Sequence, residues 1–337
     1  MIVVDADMHL REQEDWLRPH LPDRWARPIL FPFENFDRSL RGRLGKKGVD
    51  AHMQLRDMDA EGIDLAILYP TLGLFFGEVR ESDFAIALAR AYNDWVTEYC
   101  SADPARLKAV ALVPVQVPDA AAGELERAQQ MGLVGAMVPS YCRVGPRHAG
   151  DPWLDPLFAA AERLGMPIAF HANGGVTPIN ERFPSFLQIH TFSHVPEQMA
   201  AVTGVVLGGV LERFPRLTVG FMEAGCGWLP FWADHMDEEY ELREEEAPHL
   251  SRRPSEYLRS GRCYFGVEPE ERWIGQAADV VGAGALLYAS DYPHWDSGWP
   301  HTVSAIRDRQ DLGDDLKRKV LGENALRFYG LPVPAGV

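Results

Sequence analysis

The chain is poor in cysteine, with four in 337 residues (Cys100, Cys142, Cys226 and Cys263), far apart and in no paired spacing. That pattern excludes a disulfide framework and a cysteine-based zinc module, and it fits reduced thiols in a cytoplasm. Positive charge is also short. There are 33 Lys and Arg against 49 Asp and Glu, a formal net charge of −16. Without a basic stripe, nucleic acid and anionic membranes are not expected as partners. No apolar run much exceeds about ten residues, whereas a helix needs roughly 20 to cross a bilayer. The opening Met-Ile-Val-Val-Asp has no basic region and no small-residue cleavage site, so no signal peptide is expected. Also missing are a Gly-x-Ser-x-Gly elbow, a His-Glu-x-x-His helix and a Walker loop. Gly282-Ala-Gly284 lacks the third glycine of a dinucleotide fingerprint. The expectation is a cytoplasmic, soluble protein whose residues 1–337 form one domain.

What is present is an alternation. Apolar, β-branched runs at 2–8, 64–69, 108–113, 134–139, 167–171, 217–223, 262–267 and 285–290 read as strands. Several are apolar without a period of two, as in strands covered on both faces. Amphipathic stretches at 51–61, 82–100, 120–131, 154–164, 196–213, 229–243, 269–281 and 314–329 read as helices. Gly62, Gly165 and Pro215 stop three of these helices before buried strands. Eight strand–helix units in strict order predict an α/β fold, a (β/α)₈ TIM barrel, with a doubly wound sheet as the competitor. One segment, about 10–50, breaks the rhythm after the first strand. It is expected to be a surface excursion or a subunit contact of a homodimer, or else a wall over the site.

In such a barrel, side chains at the C-terminal strand ends converge. The first strand ends in Asp5-Ala-Asp7-Met-His9, where Asp7 and His9, two apart, share a face. Asp5 suits a turn cap. The fifth strand ends in Phe170-His171-Ala-Asn173, the sixth in Met222-Glu223 and the eighth in Ser290-Asp291-Tyr-Pro-His294. Two imidazoles and several carboxylates at one mouth point to a site for one divalent ion, Zn²⁺ first, with Mn²⁺ or Fe²⁺ as alternatives. Substrate-facing candidates are His194, Asn173, His294 and Arg143, the last able to grip a carboxylate from the loop after strand four. His190, four before His194, is as well read as a surface residue.

These landmarks resemble the amidohydrolase-related proteins of the aminocarboxymuconate semialdehyde decarboxylase type, within the amidohydrolase superfamily. The matching pieces are Val4-Asp-Ala-Asp-Met-His9, Phe170-His-Ala172, Glu212-Arg-Phe-Pro-Arg-Leu217, Ala289-Ser-Asp-Tyr-Pro-His294 and Glu323-Asn-Ala-Leu-Arg-Phe-Tyr329. The resemblance spans nearly the whole chain. It implies an amidohydrolase-type barrel with one catalytic ion, held at positions that fall on Asp7, His9, His171 and Asp291. Relatives of the decarboxylase kind carry a His after strand six, where this chain has Glu223. With Glu223 as general base, the first expectation is a metal-dependent hydrolase of a small organic substrate. The alternative is a non-oxidative decarboxylase of an aromatic or enoic acid. A third expectation is a barrel without catalysis.

Overall fold

The computed structural model describes residues 1–12, 17–25, 50–172, 177–178 and 180–332. Its strands are β1 (Val4–Leu10), β2 (Leu65–Pro70), β3 (Leu107–Ala109), β4 (Ala111–Leu112), β5 (Ala136–Pro139), β6 (Ile168–His171), β7 (Val219–Met222), β8 (Cys263–Val267) and β9 (Leu286–Tyr288). Strands β1 to β3, and likewise β4 to β9, pair in parallel with their neighbours in chain order. Only Val110 separates β3 from β4, and the two fill one place in the barrel. The ladder breaks there because the chain changes partners. The Val110 N–H donates to Leu68 O (3.1 Å), and the next one, Ala111 N–H, to Gly135 O (2.8 Å). Asn93 fills the gap, its side chain bonding both N–H and C=O of Leu112 at 2.9 Å.

The barrel closes beyond the end of β9. His9 N–H donates to Tyr292 O (2.6 Å), Asp291 N–H to Asp7 O (3.1 Å), and Ser290 N–H to the Asp5 carboxylate (3.0 Å). Asp5 also accepts from Asp7 N–H at 3.2 Å, as its reading as a turn cap expects. Eight strand positions thus form the TIM barrel that the alternation predicts.

Helices α1 (Ala51–Glu61), α2 (Ser82–Cys100), α3 (Pro118–Gln130), α4 (Asp155–Leu164), α5 (Phe186–Leu207), α6 (Leu229–Leu242) and α7 (Ile274–Val281) make the crossovers. Between sheet and helices, Phe170, Phe221 and Phe265 stand in register on β6, β7 and β8, with stacked ring centroids 5.8 and 5.4 Å apart. Phe158 of α4 meets Phe170 edge-on. That fixes the faces of β6: Phe170 points at the helices, so Ala169 and His171 point into the barrel.

One sequence expectation changes. The α5 helix begins ten residues before Pro196, at Phe186, capped by Ser185, whose hydroxyl accepts the Gln188 N–H at 3.4 Å. Pro196, taken as a helix start because proline suits that position, lies inside it. Of the excursion, 13–16 and 26–49 lie outside the described residues; 17–25 contains two short 3₁₀ turns, and Trp25 packs on Phe84 of α2 (4.9 Å). Among the described residues, no helix is long and apolar enough to cross a membrane.

Candidate active site

The C-terminal strand ends carry the expected residues to one place. Asp7 and His9 end β1, His171 ends β6, Glu223 follows β7 and Asp291 follows β9. His9 Nε2 lies 3.3 Å from Asp7 Oδ1 and 3.3 Å from Asp291 Oδ1, and His171 Nε2 lies 3.3 Å from Asp7 Oδ2. The other ring nitrogens are committed: His9 Nδ1 bonds Pro70 O (3.1 Å) and His171 Nδ1 bonds Ala172 O (2.8 Å). With Nδ1–H donating to a carbonyl, each Nε2 is the nitrogen turned to the shared centre.

Glu223 and Asp291 are the non-glycine residues with positive φ, at 56° and 54°, among the described residues. Such backbone is uncommon outside glycine and clusters at functional sites. At Glu223 its purpose is visible. Strand alternation would send this side chain the way of Phe221, toward the helices. The left-handed turn instead brings its carboxylate 3.2 Å from His171 Nδ1 and 3.6 Å from His194 Nε2.

Burial and neighbours set the charge states. Burial works to raise the Asp7 carboxyl, but His171 and His9 outweigh it and hold it well below the carboxylate range. Burial, then His294, lowers His9 to about 3, so its ring is neutral. Burial opposes a proton on His171, but Asp7 and Glu223 raise it to about 9. Burial, then Asp291, raises Glu223 well above its usual value; burial, then Asp296, does the same to Asp291.

The donor set fits a divalent ion. Asp7 Oδ1, His9 Nε2 and His171 Nε2 are buried with no hydrogen-bond partner. Ligand atoms of Asp7, His9 and His171 lie within 4.8 Å of one another, as do those of His9, Asp291 and His294. Unsatisfied buried polar atoms are costly, and one cation would satisfy all three. Above the cluster a cavity of about 260 Å³ is lined by Asp7, Glu223, Asp291, Asp296, Glu268 and Glu270 with His190 and His194.

Of the substrate-facing candidates, His194 lines this cavity, and His294 Nδ1 stands 2.6 Å from Asp291 Oδ1. Arg143 is paired with Glu78 at 2.6 Å and does not line the cavity. Asn173 lies outside the described residues. Glu12, Thr71 and Asp296 escaped the sequence reading; of the three, Asp296 alone carries a local signal, two residues beyond His294.

Fold and site together define a barrel enzyme whose buried Asp7, His9 and His171 side chains could hold a metal ion. The family model described as amidohydrolase matches residues 4–331, and the chain belongs to that family, within the amidohydrolase superfamily. The chain is 25% identical to 2-amino-3-carboxymuconate-6-semialdehyde decarboxylase of Dictyostelium discoideum, over 84% of this chain and 77% of that one. It is 26% identical to gamma-resorcylate decarboxylase of Rhizobium radiobacter, over 79% and 85%. The fold matches that of 5-carboxyvanillate decarboxylase of Novosphingobium aromaticivorans with bound manganese (TM-score 0.80, 21% identity, 98% and 97% covered).

Proposed function

We propose that this enzyme is a metal-dependent, non-oxidative decarboxylase of a small aromatic or enoic acid, with Asp291 as the proton donor. Asp291 carries the reading: its carboxyl adjoins the donor cluster, opens on the cavity and is held protonated by burial and by Asp296. Loss of CO₂ leaves an electron pair on carbon, and that carbon must take up one proton. Asp291 supplies it, and His294, 2.6 Å away, orients the carboxyl and returns a proton to it. Asp7, His9 and His171 would hold the ion, with Asp291 joining them in its ionised form, and the ion would supply positive charge for the substrate carboxylate and an adjacent oxygen. Among the described residues lining the cavity there is no Lys or Arg, so that counter-charge falls to the ion. Two carboxylates beside two imidazoles suit Mn²⁺ as well as Zn²⁺.

Hydrolysis is the second reading, with Glu223 as base. Against it stands Glu223's environment: a carboxyl whose ionised form burial and Asp291 disfavour is a poor base near neutrality. The named relatives, all decarboxylases, lend weight to the first reading. The test is to incubate metal-loaded protein in D₂O with hydroxybenzoates and enoic acids. CO₂ release with one deuterium placed on the former carboxyl-bearing carbon is expected. Cleavage of esters or lactones without CO₂ from any acid would overturn it.

A further inference from the structure

The turn after β2 grips two imidazoles at once. Pro70 O accepts from His9 Nδ1 (3.1 Å), and the next residue, Thr71, places Oγ1 3.0 Å from His294 Nε2. That turn is itself clamped from the opposite side. Glu12, 3% exposed, takes the N–H groups of Thr71 and Leu72 on Oε2 (2.9 Å each) and of Gly73 on Oε1 (3.0 Å). It has little room to shift: a Cβ at Gly73 would stand 2.6 Å from Pro70 Cβ. Thr71 is likewise 3% exposed.

Hydrogen-bond bookkeeping then fixes the ring of His294. When Asp291 ligates, as a carboxylate, His294 Nδ1 must donate to it across 2.6 Å, which leaves Nε2 as an acceptor. The Thr71 hydroxyl is the donor in reach. We propose that Thr71, locked by Glu12, is a positioning residue for the ion: it sets the tautomer and plane of His294, and His294 aims Asp291 at the cluster. The inference rests on the reading of Asp7, His9, His171 and Asp291 as ligands. Partners at this remove from a metal commonly change its affinity 10–100-fold.

The experiment is a titration of the metal-free protein with Mn²⁺ and with Zn²⁺ in competition with a chromophoric chelator. It compares wild type, Thr71→Val, Thr71→Ser, His294→Gln and the double variant of Thr71→Val with His294→Gln. Metal-free melting temperatures are recorded beside it. Thr71→Val is expected to bind about tenfold more weakly and Thr71→Ser nearly as wild type. The double variant is expected to be no weaker than His294→Gln alone, because both act through one ring. Thr71→Ala carries the same comparison should the valine variant not fold. A Thr71→Val protein that holds metal as tightly as wild type, or that is weakened equally with and without His294, overturns the proposal and leaves the ligand set standing. A wild type that binds neither ion overturns the ligand set and the proposal together.

Discussion

Metal uptake should be steeply pH-dependent, and His171 sets the window. In the metal-free protein its ring is protonated up to about 9, because Asp7 and Glu223 flank it and outweigh burial. A ligating imidazole must be neutral, so each ion bound near neutrality displaces that proton. One displaced proton is a tenfold change in affinity per pH unit, so pH 7 to 9 is worth about 100-fold, or ~2.7 kcal/mol. Asp291, also raised, adds a second proton wherever it ligates. The sign reverses for the metal-free fold. A His raised above its usual 6.5 contributes stability below that value and loses it as pH rises through about 9. Melting temperatures with and without metal should therefore diverge as pH rises from 7 to 9. The assay is chelator competition at constant ionic strength across that range, with protons counted by calorimetry in buffers of different ionisation enthalpy. Asp291→Asn should lower the proton count and keep the His171 slope. An affinity flat between pH 7 and 9 would refute the assigned charge states.

Two further predictions concern stability. Glu223→Gly should raise metal-free stability by about 1–3 kcal/mol in urea unfolding, since it relieves a left-handed backbone and removes a buried carboxylate oxygen that lacks a hydrogen-bond partner; an unchanged or lower stability would refute the strain reading. Asn93→Ala should cost about 2–4 kcal/mol by the same measurement, because Leu112 N–H and C=O each lose the Asn93 side chain, and Glu124 keeps only its arginine partners; a cost under about 0.5 kcal/mol would mean that water takes over those bonds.

The strands were legible because barrel staves are buried on both faces: Ala66-Ile-Leu68 and Ala109-Val-Ala-Leu112 carry no polar residue to blur the pattern. The site followed from the same geometry, since Asp7 and His9 two apart on a strand share a face. The first two turns of α5 did not show. His190 and His194 line the cavity, and Phe186 and His190 pack on Trp295, so the segment presents aromatic and imidazole groups where a surface helix would present charge. Thr71 and Glu12 were invisible for a different reason. Their roles lie in bonds across 223 and 59 residues of sequence, which no local spacing announces. Arg143 makes the same point from a loop, since its guanidinium pairs with Glu78, 65 residues away, which no spacing in its own segment announces.

Glu223 shows where residue identity stops informing chemistry. A carboxylate in place of an imidazole reads as a base, and hydrolysis follows. Yet the fold places that carboxylate in a buried mouth with Asp291 and Asp7 nearby, and there the protonated form is favoured. His171, an imidazole, holds its proton in the same mouth because the ionised Asp7 beside it outweighs burial. His9, a few ångströms away, stays neutral because burial and His294 oppose its charge. Two histidines of the proposed ligand set thus shift in opposite directions. The difference comes from which carboxylates each ring faces, and that is decided by strand register and by two residues with left-handed backbone.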